Sequence, residues 1–205
     1  MTISSIEVIA GPMRSRKSDE LILCFEPIVT LMGQNAVRVF KPRKDSRVLL
    51  PGQAGMGTVQ SRRGTKMSAI DIDHPLDVLA HLRSPGAQDV VAIGIEEVHL
   101  FDDPEGFERL HHHLTYECPP TLQRVIYCGC DTNFKGEPFR IMGYLMCVAT
   151  LVKKTKSLCE RCQPTPVVEH ATRTGRMGHS TEEIQIGDAP YVATCLGCHH
   201  KFFLS

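Results

Sequence analysis

The sequence predicts an α/β fold, in which a parallel sheet is flanked by helices, followed by a small C-terminal domain that binds a metal. Three observations support this prediction: a phosphate-binding motif near the N-terminus, alternating strand and helix patterns over the first 150 residues, and two C-x-x-C pairs near the C-terminus. Short apolar strands separated by helices are typical of a parallel sheet covered on both faces. We place the domain boundary between residues 1–154 and 155–205.

The phosphate-binding motif reads GPMRSRKS and resembles the pattern G-x-x-x-x-G-K-[ST]. In that pattern, backbone N–H groups surround the phosphates, the lysine reaches the β/γ oxygens and the hydroxyl ligates Mg²⁺. One position differs, because Arg16 stands where the second glycine belongs. The ATP and Mg²⁺ site predicted from this loop comprises Gly11, Pro12, Met13, Arg14, Ser15, Arg16, Lys17 and Ser18. A loop of this kind inside a P-loop (RecA-like) sheet lies between a strand and a helix.

Both flanking elements are present in the sequence. The apolar, β-branched segment Ile3–Ala10 predicts a buried strand. The segment Ser18–Met32 opens with a capping serine and an acidic first turn, which favours a helix start. Pro27 lies inside this helix, where it removes a backbone donor and costs about 3 kcal/mol. We therefore expect the helix to bend or stop near residues 25–26.

The rest of the first 150 residues continues the alternation. The apolar segments predict strands at residues 36–40, 89–95 and 124–129, and the periodic segments predict helices at residues 74–82, 104–114 and 143–154. The polar, glycine-rich segment 53–69 predicts a long excursion from the fold.

Composition limits the classes of function. The 205 residues (22.8 kDa) contain 23 basic and 23 acidic side chains, so the net charge is zero. This balance argues against a protein that coats nucleic acid. The N-terminus has no basic region followed by an apolar run, and no apolar stretch reaches about 18 residues. We expect a cytoplasmic protein with no membrane or nucleic-acid partner.

The two C-x-x-C pairs predict a zinc site. Cys159, Cys162, Cys195 and Cys198 supply four thiolates, a closed tetrahedral set that suits a structural Zn²⁺. A redox pair is the alternative, although such pairs normally occur singly. His199 and His200 could also replace a cysteine as ligand. Nine cysteines are an odd number, and the sequence predicts that the other five are small buried hydrophobes.

The predicted strand at residues 89–95 ends in two carboxylates, Glu96 and Glu97. In phosphate-loop enzymes an acidic residue at this point holds the Mg²⁺ shell, which assigns Glu96 to the metal site. A second carboxylate can accept a proton from an attacking hydroxyl. Paired acids after a strand are also often an ordinary solvated turn.

Several blocks occur in one order that resembles type II thymidine kinases, the family of cellular and bacterial cytosolic enzymes. The blocks are GPMRSRKSDEL, FKP with KDSR, SRRG, IEEVHLF, CDTNFKGEPF, ATRTGR and the closing tyrosine with C-x-x-C, between residues 3 and 200. They are similar to the family's GPM-F-S-G-K-[ST]-x-E-L, KPA-x-D-x-R, S-R-x-G, I-D-E-[AG]-Q-F-F, L-D-x-D-F-R-G-E-P-F, A-x-x-T-x-R and Y-x-x-x-C-R-x-C. The resemblance implies a kinase that uses ATP and Mg²⁺ to phosphorylate thymidine.

The resemblance also implies individual roles. Glu97 is the base that accepts the proton of the 5′-hydroxyl, Arg47 steadies the transferring phosphoryl group, and Asp45 supports Arg47. A lasso loop of the zinc ribbon closes over the nucleoside. The residues that the resemblance assigns to the thymidine site are Met13, Leu100, Cys130, Phe134, Phe139, Thr174, Ile184, Ile186, Gly187 and Tyr191. Family members usually form tetramers, which we expect here.

Some residues depart from the family pattern. Besides Arg16, Glu96 replaces aspartate, His99 replaces glutamine and Cys130 replaces leucine. Arg16 distinguishes an active kinase from an impaired protein that binds thymidine nucleosides or nucleotides without efficient turnover. Either its side chain points outward and its N–H donates as glycine's would, or the loop needs glycine for close approach or a positive φ. A zinc-ribbon interaction module is a third hypothesis, which the neutral charge disfavours.

Overall fold

The structure is a computed structural model, and it describes residues 3–45, 57–61, 64–117, 120–162, 169–178 and 191–201. The strands are β1 Ser5–Ala10, β2 Val37–Pro42, β3 Thr58–Gln60, β4 Lys66–Ser68, β5 Ile70–Ile72, β6 Ala92–Ile95, β7 Arg124–Gly129, β8 Leu151–Lys154, β9 Ser157–Leu158, β10 His170–Ala171, β11 Arg173–Arg176 and β12 Tyr191–Thr194. The helices are α1 Lys17–Met32, α2 Asp77–Leu82, α3 Pro104–Tyr116, α4 Arg140–Val148 and α5 Leu196–His199.

Within the described part of the chain, a six-stranded sheet has the order β5-β2-β6-β7-β1-β8, and every pairing in it is parallel. Burial on both faces explains why the central strand β6 and all but the first residue of its neighbour β7 are continuous apolar runs. One buried cluster joins this sheet to α2, α3 and α4, and a second joins the other face to α1 and β3. The predicted α/β class with a parallel sheet flanked by helices is confirmed.

Helix α1 packs closely against the sheet because Gly94 of β6 has no side chain. A Cβ placed on Gly94 would lie 2.7 Å from Cε2 of Phe25, a buried residue of α1. The expectation that the helix would stop near residues 25–26 is wrong, since α1 continues through Pro27 to Met32. Pro27 lies on the exposed side of the helix, so its ring meets no packed element there. Packing of the opposite side offsets the lost backbone bond.

The predicted helix at residues 143–154 is wrong in its second half. Helix α4 ends at Val148, and Leu151–Lys154 forms an exposed edge strand beside β1. Thr150 explains the change, because its hydroxyl donates to the Ile6 carbonyl at 2.8 Å and accepts the Ile6 N–H at 3.0 Å. Such side-chain bonds to backbone compete with helical hydrogen bonds.

Sequence patterns also missed shorter elements. Strand β5 extends the sheet, and β3 and β4 form an antiparallel hairpin inside the predicted excursion. Of the five cysteines predicted to be buried, Cys128 and Cys130 are buried, Cys24 is half-buried and Cys147 is exposed, while Cys118 lies outside the described residues.

After Lys154 the chain leaves the large sheet and forms two antiparallel pairs, β9–β10 and β11–β12, followed by the short α5. The boundary at residue 154 stays a prediction. None of the helices in the described ranges has the length and apolar character needed to cross a bilayer.

Candidate active site

Four strands bring the predicted site residues to one edge of the sheet. The carboxyl ends of parallel strands meet at the same edge, where ligands of open α/β sheets bind. The phosphate-binding loop follows β1, Asp45 follows β2, Glu96 follows β6 and Cys130 follows β7. Glu96 is also tied to its neighbouring strand, because its N–H donates to the Phe40 carbonyl at 2.8 Å. Residues distant in sequence therefore face one crevice.

The phosphate-binding loop is held by contacts with the start of the C-terminal region. A Cβ on Gly11 would lie 2.6 Å from the Thr155 carbonyl oxygen and 2.9 Å from Ser15 Oγ, so only glycine fits. The Ser15 hydroxyl donates to the Pro12 carbonyl at 2.7 Å and lies 2.7 Å from Thr155 Oγ1. These contacts give the loop a compact, internally bonded shape.

Lys17 is buried at the base of this loop, with 7% of its surface exposed. Its ammonium donates to the Pro12 carbonyl at 2.8 Å. Burial acts to lower the pKa of Lys17, but the acidic groups of Cys130, Glu97 and Glu96 act in the opposite direction, and the net pKa is raised. The side chain is therefore a fixed positive charge at neutral pH.

Two arginines of the loop adopt a backbone conformation that favours glycine. Arg14 has φ 62° and Arg16 has φ 63°, both in the left-handed region. A Cβ in this region costs about 1–2 kcal/mol. The Arg16 side chain is exposed and makes no capping bond to α1, whereas the Arg14 guanidinium forms an ion pair with Glu160. The side chain of Arg16 is exposed, as expected if it points outward, and its φ is positive, as expected if the loop favours glycine at this position.

Ser18 and Glu96, the two side chains predicted to hold Mg²⁺, are in contact. The Ser18 hydroxyl donates to Glu96 Oε1, and Glu96 is 3% exposed. A hydroxyl and a carboxylate side by side are hard oxygen donors of the kind that hold Mg²⁺ together with substrate phosphates. The extra methylene of glutamate is accommodated, since Glu96 reaches the hydroxyl directly. These residues therefore fit the metal.

Glu97 is buried and held in a strained backbone conformation. It is 5% exposed and has φ 49° and ψ 42°, in the left-handed region. Strain of this kind costs about 1–3 kcal/mol and persists mainly where the surrounding structure enforces it, often in active sites. Its carboxylate contributes to the raised pKa of Lys17. The solvated-turn interpretation of Glu96 and Glu97 is therefore wrong, because both acids are buried.

His99 lies beside Glu97 and is 8% exposed. Its Nδ1 accepts the N–H of Cys130 at 3.1 Å and lies 3.4 Å from Glu97 Oε2. Since Nδ1 accepts a hydrogen bond, the proton of a neutral ring sits on Nε2. The ring also packs against Phe139, with centroids 5.0 Å apart. Sequence comparison within the motif marked His99 only as a departure and gave it no role.

Part of the predicted thymidine site converges next to these residues. Met13, Cys130 and Phe139 belong to one buried cluster, against which Tyr191 packs, and Leu100 is buried at 7% exposure. The Met13 N–H donates to the buried Thr174 Oγ1 at 2.9 Å. A residue of the phosphate-binding loop is thereby joined to β11.

Phe134 lies at the junction of the two parts of the chain. The Arg176 guanidinium stacks over its ring at 3.6 Å, a cation–π geometry. The Phe134 carbonyl accepts a hydrogen bond from His199 Nε2 at 2.8 Å. His199 is 3% exposed, and the group of side chains that could hold a metal ion in this region consists of four cysteines and does not include it. The alternative that His199 replaces a cysteine ligand is therefore not supported.

The four predicted cysteines form a group that could hold a structural metal ion. All four sulfurs lie within 4.8 Å of one another, and Cys162 Sγ lies 3.7 Å from Cys195 Sγ and 3.5 Å from Cys198 Sγ. Metal–sulfur bonds of about 2.3 Å in a tetrahedron place sulfurs about 3.8 Å apart, which matches this spacing. A disulfide needs about 2.05 Å.

The thiol pKa values in this group shift in opposite directions, lowered at Cys159 and raised at Cys162 and Cys198. Burial acts to raise the pKa of Cys159, but the backbone N–H groups of Cys195, Arg161 and Cys162 outweigh burial and lower the pKa to about 7. The thiolate is the form that binds metal.

Some predicted residues lie outside the described residues, namely Arg47, Ile184, Ile186 and Gly187. Asp45 is described and is 7% exposed, and its backbone N–H donates to the Pro42 carbonyl at 2.9 Å. Its position after β2 places it at the same edge of the sheet as the phosphate-binding loop.

Sequence reasoning missed the contacts that attach the C-terminal region to the loop. Thr155 donates its N–H to the Ala10 carbonyl at 2.7 Å, and Glu160 pairs with Arg14. Lys154 pairs with the buried Asp131 at 2.9 Å. The opposite charges of these pairs are visible in the sequence, but nothing in the sequence indicates their proximity.

This arrangement, a phosphate-binding loop after the first strand of a parallel sheet with buried acids at the end of a neighbouring strand, defines the class of phosphate-loop α/β proteins. The sequence model of the family described as "Thymidine kinase" matches residues 4–199. The chain therefore belongs to the thymidine kinase family, whose membership indicates a kinase.

Individual relatives agree with this assignment. The chain is 34% identical over 175 residues to a thymidine kinase of Chloroflexus aurantiacus (strain J-10-fl), covering 84% of this chain and 78% of the relative. It is 31% identical over 201 residues to a thymidine kinase of Roseiflexus castenholzii, covering 95% of this chain and 93% of the relative.

Proposed function

We propose that the protein is an ATP-dependent thymidine kinase, which transfers the γ-phosphoryl group of ATP to the 5′-hydroxyl of thymidine. The observation that carries this proposal is the convergence of Lys17, Glu96 and Glu97, all buried, at the carboxyl edge of the sheet. Family membership supplies the substrate class, because the relatives are named thymidine kinases. Buried charges of opposite sign beside a phosphate-binding loop fit phosphoryl transfer.

In this reaction, backbone N–H groups of the loop and the Lys17 ammonium hold the phosphates. The 5′-oxygen bonds to the γ-phosphorus as the bond to the β–γ bridging oxygen breaks, and ADP leaves. The Glu97 carboxylate accepts the proton of the 5′-hydroxyl. Ser18 and Glu96 would hold Mg²⁺, which supplies neutralisation of phosphate charge when bound. Arg47 would steady the transferring group, with Asp45 in support.

The thymidine site in this proposal combines the buried cluster with the ribbon. Met13, Leu100, Cys130 and Phe139 line the base pocket, with Phe134, Thr174 and Tyr191 contributed from the junction and the ribbon. Ile184, Ile186 and Gly187 would complete the lasso. A structural Zn²⁺ on the four cysteines would anchor this loop, since a metal at the base of a polar segment offsets its ordering entropy.

The test replaces Glu97 with glutamine. Glu97→Gln keeps the shape of the side chain but removes the proton acceptor, so single-turnover phosphorylation should fall by at least about 100-fold. Thymidine affinity, measured by calorimetry, should stay within a few-fold. Glu26→Gln, the same change on the exposed side of α1, is the matched control and should leave both quantities unchanged. Retention of most of the rate in Glu97→Gln would refute the assignment of the base.

A second candidate is a protein that binds thymidine nucleosides or nucleotides without efficient turnover. The observation that favours it is the left-handed backbone of Arg16, which strains the loop that has to bind phosphate. A coupled assay with ATP, Mg²⁺ and thymidine separates the two. A turnover rate no higher than the background rate, in protein that still binds thymidine, would favour the second candidate.

A further inference from the structure

A second group of metal-binding side chains lies next to the candidate active site. Glu97, His99 and Cys130 each offer one ligand atom, and these atoms lie within 4.8 Å of one another. All three residues are buried, with exposed fractions of 5%, 8% and 3%. The residues come from the loop after β6 and from the end of β7, so two neighbouring strands hold the group in place.

The donor set is typical of one class of ion. A carboxylate, an imidazole and a thiolate are the ligands of Zn²⁺ and related thiophilic divalent cations, whereas Mg²⁺ prefers oxygen alone. Three protein ligands also leave one tetrahedral position open to water or substrate. We propose that Glu97, His99 and Cys130 form a second, lower-affinity Zn²⁺ site, and that its occupancy inhibits the kinase.

The distances suit this ion after a small adjustment. His99 Nδ1 lies 3.4 Å from Glu97 Oε2. Metal bonds of 2.0–2.2 Å in a tetrahedron place two such atoms about 3.4 Å apart. The sulfur has to come within about 3.6 Å of each of them, a contraction of up to about 1.2 Å from the 4.8 Å limit. Binding of Zn²⁺ through Nδ1 also removes the acceptor of the buried Cys130 N–H, which weakens binding at this site.

The local charge favours a divalent cation. Glu96 and Glu97 are buried carboxylates, and Lys17 is the buried cation beside them and Cys130. Counted with the thiolate that Zn²⁺ binding itself would produce at Cys130, these groups carry two net negative charges in a poorly solvated place. A Zn²⁺ ion cancels them, and buried charge that is cancelled in this way is far less costly.

The site follows from the residues alone, but the inhibition rests on the proposed role of Glu97. A carboxylate that is bound to Zn²⁺ cannot accept the proton of the 5′-hydroxyl. The ion would also occupy space near Phe139, whose ring packs against His99 with centroids 5.0 Å apart.

The test measures zinc stoichiometry and affinity on the full-length protein. Wild type should bind two Zn²⁺ per chain, one tight and one removed by a moderate chelator. Cys130→Ser and His99→Gln should each keep the tight ion and bind the second more than about 100-fold more weakly, because even outer-shell changes cost 10–100-fold. Cys128→Ser, a buried thiol that packs on the other face of the sheet, is the matched control and should keep both ions. Retention of the tight ion reports that each variant is folded.

Two readouts separate the site from its effect. Co²⁺ at the second position should add thiolate charge-transfer absorption that is absent in Cys130→Ser. Binding of a single Zn²⁺ by wild type, or an undiminished second ion in both variants, would overturn the site. Two ions in wild type with no loss of phosphorylation on filling the second would leave the site intact and would contradict both the inhibition and the role of Glu97 as base.

Discussion

The Arg16→Gly substitution tests the phosphate-binding loop where the sequence departs most from its motif. Arg16 has φ 63° and ψ 28°, a conformation that costs a residue with a Cβ about 1–2 kcal/mol and glycine nothing. Glycine also has more conformational freedom than arginine when the loop opens, and this entropy removes about 0.5–1 kcal/mol of the gain. The net gain is about 1 kcal/mol. To the extent that the free loop leaves the phosphate-binding conformation, this gain should raise its population, and hence kcat/KM for ATP, by up to about fivefold.

Arg16→Ala is the matched control, because alanine keeps the Cβ and its strain but removes the cation. The exposed Arg16 cation lies at the N-terminus of α1, where a positive charge is unfavourable by about 0.3–1 kcal/mol but attracts phosphate. We expect no rise in ATP efficiency for alanine, and thymidine affinity should be nearly unchanged in both variants. Steady-state kinetics with varied ATP at saturating thymidine measure the effect. An unchanged or lower kcat/KM in Arg16→Gly, or an equal gain in Arg16→Ala, would refute the backbone argument.

Three further predictions concern the supports of the site. Thr174→Val leaves the buried N–H of the phosphate-binding loop without its acceptor, so thermal unfolding should show a loss of about 1–3 kcal/mol. Cys162→Ser should lose the tight zinc and expose residues 163–194 to limited proteolysis while sparing the first 150. Burial acts to raise the pKa of Glu7, but hydrogen bonds from Arg124 and Ser5 hold it below 4.5. The contribution of Glu7 to the free energy of unfolding is therefore fully present above pH 4.5, and it is lost as the pH falls through the lower pKa that Glu7 has in the folded protein.

Each of these predictions has a control. Thr174→Ser keeps the hydroxyl and should restore most of the stability, so equal losses in both variants would assign the effect to packing instead. Cys147→Ser removes an exposed thiol and should keep its zinc. Glu7→Gln should differ from wild type in stability at pH 7 and approach it as the pH falls below the lowered folded pKa of Glu7. A difference that does not change with pH would contradict the ionic role of Glu7.

Several inner strands of the sheet were predicted from the sequence because their short apolar segments are typical of a buried strand. Arg124–Gly129 is apolar after its first residue, with β-branched and aromatic side chains, and its predicted bounds match β7. Leu151–Lys154 was missed because an exposed edge strand of four residues carries no apolar pattern, and its identity depends on Thr150 bonding to β1. The extent of α1 was also missed, since packing of Phe25 against Gly94 outweighs the local effect of Pro27.

The candidate site divides in the same way. Lys17 and the four cysteines belong to short motifs whose chemistry depends on local spacing, so the sequence sufficed to name them. The position of His99 beside Glu97 and Cys130 depends on how β6 pairs with β7, and this information is spread over the whole sheet. The positive φ of Arg16 was raised only as an alternative, because backbone conformation in a loop is decided by its surroundings.

In the proposed kinase, the pairing of β8 with β1 would couple the binding of the two substrates. Ala10, which leads into the phosphate-binding loop, is the register partner of Lys154, and Thr155 donates to the Ala10 carbonyl at 2.7 Å. Met13 is bonded to Thr174 across the same junction. If the nucleoside orders this shared segment when it binds, the free energy of that ordering would no longer oppose binding of the nucleotide. Thermodynamic reciprocity then requires that each ligand alters the affinity of the other by one common factor.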